Sequence, residues 1–164
     1  MPTIVPMRMP LVLFVAALIA GCAGAPRQPS QAEPATIASE ERRLRDVLAG
    51  TPVETSIAPD GRLRIQVPLE FSFDAGRSAV KKPLAAVLDR VAVGLLTAPF
   101  EIAIAAPADR EQGGNLLAQD RAASVRDYLI ARGVTAWHFG ALSRARGAFV
   151  ELLVAEKVRR TAGR

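Results

Sequence analysis

Two apolar stripes at helical spacing bracket one short apolar run, and that alternation restricts the chain to a sheet with helices packed on it. Leu84, Val87, Leu88, Val91 and Leu95 share one face of a predicted helix, with Pro83 near its start, where a missing N–H costs nothing. Residues 100–105 follow as an apolar run suited to a buried central strand, and residues 107–114 read as a loop. A second helix is predicted over residues 115–131, with Leu117, Val125, Tyr128 and Leu129 inward, Arg126, Asp127 and Arg132 outward, and Gly133 as its C-cap. Residues 137–142 and 148–154 are the last strand candidates.

The stretch before these helices reads as a hairpin behind a short helix. Ser39 is the expected N-cap, Glu40 and Glu41 lie in a solvated first turn, and Gly50 ends the helix. Residues 52–58 and 63–69 are predicted strands joined through Pro59-Asp60-Gly61, whose Asp-Gly pair supplies the positive φ of a tight turn. In the second strand Leu63, Ile65 and Val67 alternate with Arg62, Arg64 and Gln66, so one face is core and the other wet. The order from there is strand, helix, strand, helix, strand, strand, with right-handed crossovers expected around both helices. It predicts an α/β (α+β) fold, a two-layer sandwich of two helices on a mixed β-sheet, preceded by the short helix and hairpin.

The first residues carry an address rather than a fold. Arg8 gives a positive n-region, and residues 11–20 (LVLFVAALIA) give an apolar segment too short to span about 30 Å of hydrocarbon. Ile19-Ala20-Gly21-Cys22 fits a lipobox, so residues 1–21 are expected to be a lipoprotein signal peptide and Cys22 the acylated residue. At about 0.8 kcal/mol per buried CH₂, several acyl chains on one cysteine suffice for stable anchoring. Ala23 replaces the Asp that retains such lipoproteins at the inner membrane, which points to the outer membrane with the domain facing the periplasm. Residues 22–37, rich in Pro, Gln, Ala and Ser, read as a flexible tether, residues 38–69 as the short helix and hairpin, and residues 158–164 as a basic tail.

Composition excludes several chemistries. Cys22 is the only cysteine and His138 the only histidine among 164 residues, so neither a disulfide nor a histidine- or cysteine-rich metal site can be built, and no cofactor is expected. The net charge of +5 would admit nucleic acid as a partner in the cytoplasm, but an exported chain directs that charge to anionic headgroups or an acidic envelope polymer. His138 beside Trp137 has no matched nucleophile, and Ser72, Ser78 and Ser143 lie in no nucleophile elbow. No catalytic set emerges, and Trp137 is expected in the core.

Three segments of residues 63–157 resemble one family. Val67-Pro-Leu-Glu-Phe-Ser-Phe-Asp-Ala-Gly-Arg-Ser is an apolar strand, a Phe-Asp and a Gly/Ser turn, and Ile104-Ala-Ala-Pro-Ala-Asp109 is a strand ending in an aspartate. The third and most specific is Asn115-Leu-Leu-Ala-Gln-Asp-Arg-Ala-Ala-Ser-Val-Arg-Asp-Tyr-Leu-Ile-Ala-Arg-Gly-Val. Together they are similar to the OmpA-like, peptidoglycan-associated lipoprotein domain. The resemblance implies noncovalent binding of peptidoglycan through the diaminopimelate of its stem peptide, with Asp109 for the ammonium and Arg121 for the carboxylate. A carboxylate and a bidentate guanidinium suit the two charges of an amino acid. Asp74 and Asn115 are implied as secondary hydrogen-bonding positions. The family's Gly-His-Thr-Asp is here Ala106-Pro107-Ala108-Asp109, and its closing arginine pair is absent, although Arg144 and Arg146 lie nearby. The alternative is an OmpA-like interaction or assembly module, serving envelope or secretion proteins, that has lost peptidoglycan binding.

Overall fold

The computed structural model describes residues 35–109 and 114–157. The predicted signal peptide, Cys22, most of the tether and the basic tail lie outside the described residues, as does part of the loop before the second long helix. Among the described residues no helix is long and apolar enough to cross a membrane.

Helix α1 (Ile37–Val47) begins three residues earlier than the expected N-cap at Ser39 would place it. Thr36 is the N-cap: its hydroxyl accepts from the Ser39 N–H, while the Ser39 hydroxyl accepts from the Thr36 N–H. This reciprocal pair satisfies two otherwise orphan donors, and Ser39 serves as its inner half. Glu40 and Glu41 are also not solvated, being only 6% and 4% exposed. Glu40 pairs with Arg43, which donates in turn to the Arg90 carbonyl at 2.7 Å, and Glu41 pairs with Arg45. The Ile37 N–H donates to Glu156 at 3.1 Å, so α1 is fastened to the domain at its start and near its middle.

The sheet is built from β1 (Glu54–Ile57), β2 (Leu63–Pro68), β3 (Phe100–Ala106), β4 (Phe139–Arg144) and β5 (Phe149–Glu156). Its spatial order is β1-β2-β5-β3-β4, with β3 and β4 parallel and every other pair antiparallel. The last strand in sequence is thus inserted at the centre, between β2 and β3. The turn into β2 takes its positive φ from Gly61 alone (φ 79°), with the Gly61 N–H bonded to the Ala58 carbonyl. Leu69, assigned to β2 by its apolar character, instead starts α2 (Leu69–Ser72), a single helical turn that carries the chain off the sheet.

Alternation puts one face of the sheet in the core. Ile65, Leu152, Ile104 and Leu142 form one row across four strands, and Leu63, Val154, Ile102 and Phe139 form the next. Helices α3 (Lys82–Thr97) and α4 (Gly114–Ala131) complete the second layer. The predicted α3 stripe of Leu84, Val87, Leu88, Val91 and Leu95 is buried throughout, at about 1.5–3 kcal/mol for each large apolar side chain. On α4 Val125 and Leu129 are buried with Ala118 and Ala122, whereas Leu117 and Tyr128 are only half-buried. Tyr128 remains at the margin because its hydroxyl donates to Asp89. Gly133 (φ 93°) closes α4: its N–H reaches the Ile130 carbonyl and the Val134 N–H reaches Leu129, the two bonds of a Schellman cap.

The sequence between α4 and β4 folds differently from the predicted strand. Ala136–His138 form a 3-10 turn that rotates Trp137 outward, 48% exposed, and His138 inward. His138 Nδ1 donates to the Phe100 carbonyl at 2.6 Å, a structural bond that fixes the ring inside the fold. Trp137 lies stacked on His138 with the Lys157 ammonium over its ring.

Gly94 explains how α1 can sit so close to α3. A methyl group there would collide with the Glu40 carboxylate, which Arg43 holds in place. Gly94→Ala is therefore expected to displace that carboxylate and cost about 1–2 kcal/mol, despite the better helix propensity of alanine. Thermal unfolding checks this; an unchanged midpoint would mean that the ion pair moves aside freely.

Candidate functional site

The most conspicuous side chain in the core is an arginine. Arg121, in the middle of α4, is 0% exposed. It occupies the point where three segments meet: the loop after α2, the loop after β3, and α4 itself. Its Nε–H donates to the Arg77 carbonyl at 2.8 Å, its Nη1 to the Pro107 carbonyl at 2.8 Å, and its Nη2 to the Asp74 carbonyl at 3.1 Å. Nη1 also pairs with Asp109 Oδ1 at 2.8 Å, and the guanidinium lies 5.1 Å from the centre of the Phe73 ring. A buried charge persists only when its nitrogens find acceptors and its charge is balanced; here each nitrogen has an acceptor and Asp109 supplies the balance.

Asp109 is held from two sides. Oδ1 takes the Arg121 pair, and Oδ2 accepts the Gly76 N–H at 2.5 Å. Gly76 has φ 67°, the left-handed conformation that glycine adopts without strain, and this aims its N–H at the carboxylate. The hydrogen bond from Arg121, then that from Gly76, then the Arg121 charge hold the Asp109 carboxyl below the usual carboxylate range. The side chain remains 17% exposed. Each oxygen keeps a lone pair for a further donor.

That exposed edge faces a cleft. One hollow of about 460 Å³ is lined by Leu69, Glu70, Phe73, Ala75, Asp109 and Ala148 among others. An adjoining one of about 470 Å³ shares Leu69, Asp109 and Ala148 and runs on to Pro107, Arg144 and Arg146. The far wall is fixed by two backbone bonds, Ala145 N–H to the Ala106 carbonyl and Leu69 N–H to the Ala148 carbonyl.

The sequence-predicted residues thus divide. Asp109 and Arg121 meet as an ion pair. Asp74 contributes its carbonyl to Arg121, but its carboxylate is 69% exposed and pairs with Lys81 at 3.2 Å. Asn115 is exposed and accepts from Arg144 Nη1 at 3.1 Å, so its contact is with the far wall rather than with Asp109. Sequence reasoning did not give Gly76, Arg77 or Pro107 a part in the site; they act through backbone atoms, which residue type does not advertise. Among the described residues no group of three or more His, Cys, Asp or Glu side chains could hold a metal ion.

The pH dependence of this pair has a definite sign. Because folding lowers the Asp109 pKa, the pair contributes stability in full above the unfolded value of about 3.9 and loses it as pH falls through the folded value. The stability gap between the wild type and Asp109→Asn is therefore expected to be constant above about pH 5 and to shrink below about pH 4. Denaturant midpoints measured from pH 2 to 7 would check this; a gap independent of pH would mean that Asp109 is not ionised in the fold.

Compared by sequence, the chain matches no family model and no curated protein. Solved structures show where the architecture recurs. The cell wall anchor of the T6SS from Pseudomonas aeruginosa superposes with a TM-score of 0.59 at 22% identity, over 74% of this chain and 98% of that one. The fold is OmpA-like. A MotB-like protein from Desulfovibrio vulgaris gives a TM-score of 0.62 at 17% identity, over 74% of this chain and 92% of that one. The periplasmic domain of Helicobacter pylori MotB (residues 97–256) gives 0.54 at 20% identity, over 66% and 86%. The OmpA-like likeness thus bears out the two-layer α/β fold and the mixed sheet read from the sequence.

Proposed function

We propose that this chain is an outer-membrane lipoprotein, anchored through acylated Cys22, whose OmpA-like domain faces the periplasm and binds peptidoglycan noncovalently. The observation that carries the reading is Asp109: an ionised carboxylate, fixed by Arg121 and Gly76, exposed at one edge and opening on a cleft. That is a receptor for an ammonium group, and the diaminopimelate of a stem peptide presents one. Phe73 and Leu69 offer apolar surface to the methylene chain between its two ends. A single charged contact of this kind is modest, but many lipid-tethered copies facing one polymer gain through effective concentration, so weak sites can tie a membrane to its wall. The OmpA-like folds of a cell wall anchor and of MotB periplasmic domains support the assignment.

One observation favours the second reading, an assembly module that has lost the ligand. Pro107 brings no N–H to the cleft and its carbonyl is already taken by Arg121. The two readings part on one experiment, cosedimentation of the full chain with purified diaminopimelate-type wall at low and moderate salt. Binding that persists at moderate salt is the expected result. Sedimentation at low salt alone would reduce the interaction to adhesion of a basic protein and transfer the assignment to the assembly module.

A further inference from the structure

The burial of Arg121 poses a chemical problem for any amino-acid ligand. Its three nitrogens are engaged with the Asp74, Arg77 and Pro107 carbonyls and with Asp109, and none of its surface is exposed. A ligand carboxylate could reach it only by breaking bonds that hold three segments together. The charge that receives that carboxylate must come from elsewhere on the cleft.

Arg144 and Arg146 are placed for it. Both are exposed and line the same hollow as Asp109. The buried residue between them, Ala145, donates its N–H to the Ala106 carbonyl at 2.8 Å, which fixes this wall to the strand end from which Asp109 follows three residues later. Arg144 is steered by its bond to Asn115, while Arg146 pairs with no carboxylate among the described residues. The cleft therefore has a carboxylate on one wall and two guanidinium groups on the other.

We infer that Arg144 and Arg146, not Arg121, hold the ligand's carboxylate, so that the cleft reads a zwitterionic α-amino acid end with its ammonium at Asp109 and its carboxylate at the arginine wall. Arg121 is then a positioning residue. The inference rests on the peptidoglycan reading and deepens it into a specificity: the site distinguishes a free diaminopimelate carboxylate from its amide, which keeps the ammonium but carries no charge for the arginines.

The test is titration of the full chain with a diaminopimelate stem tripeptide and with the same peptide amidated at the side-chain carboxyl. Wild type is expected to bind the free acid about tenfold or more tightly than the amide, the worth of one charge-assisted pair. Arg144→Ala/Arg146→Ala, both surface changes, is expected to bind the acid as weakly as the amide and so to lose the discrimination, while Asp109→Asn weakens both peptides. Retained discrimination in the double variant would overturn the inference alone. No binding of either peptide by wild type would overturn it together with the peptidoglycan reading.

Discussion

Arg121→Ala is expected to cost about 3–5 kcal/mol, the largest loss from any single substitution in the domain. The substitution removes the donors of three backbone carbonyls and leaves Asp109 without its balancing charge. It also opens a cavity beneath Phe73. Small domains are stable by only about 5–15 kcal/mol, so a large part of the total is at stake. Arg121→Lys should recover little, because one ammonium cannot span carbonyls on two separate loops. The thermal midpoint is the readout, with a fall on the order of 10 °C or more for the alanine variant. A midpoint close to wild type would mean that the three segments are held by other contacts and that the guanidinium is free to serve a ligand.

The second large effect is on binding. Asp109→Asn keeps the shape of the side chain and an oxygen to accept from Gly76, but removes the charge that an ammonium would meet. Affinity for diaminopimelate-type peptidoglycan is expected to fall by at least about tenfold, as for the loss of one charge-assisted hydrogen bond. Stability should fall as well, by about 3 kcal/mol, because the fully buried Arg121 loses its balancing charge while keeping its carbonyl partners. The contrast between the two variants separates receptor from strut: Asp109→Asn would be folded and unable to bind, Arg121→Ala poorly folded.

Much of this architecture was legible because periodicity reports burial directly. The α3 stripe from Leu84 to Leu95, the alternation of Leu63, Ile65 and Val67, and Gly133 at the end of α4 each follow from local geometry. The misreadings share a different cause, which is competition between neighbouring residues settled by tertiary contacts. Thr36 and Ser39 can both cap, and their reciprocal bonding gives the cap to Thr36. Glu40 and Glu41 look solvated until α1 is laid against the domain with Arg43 and Arg45 beside them. Trp137 and His138 compete for one inward position, and the smaller ring, with a nitrogen to satisfy the Phe100 carbonyl, takes it.

The site was half legible for a related reason. The family resemblance brought Asp109 and Arg121 to one place, as the two halves of a ligand site rather than as partners of each other. The depth of Arg121 could not be read there, because its burial depends on the carbonyls of Asp74, Arg77 and Pro107, and these are common to every residue type. For the same reason Asp74 looked like a ligand contact through its side chain, whereas its backbone does the work. Arg144 and Arg146 were visible only as arginines near an expected motif, and the parallel pairing of β4 with β3, which sets Arg144 beside Ala106, brings them to the cleft.

The most direct measurement is the affinity of the full chain for purified diaminopimelate-type peptidoglycan, set beside Asp109→Asn at the same pH and ionic strength. The structure leads us to expect saturable binding by wild type at moderate salt and a loss of about tenfold or more in the variant. Equal binding by both, or binding abolished in both by moderate salt, would contradict Asp109 as the receptor and leave only the attraction of a basic chain for an acidic polymer.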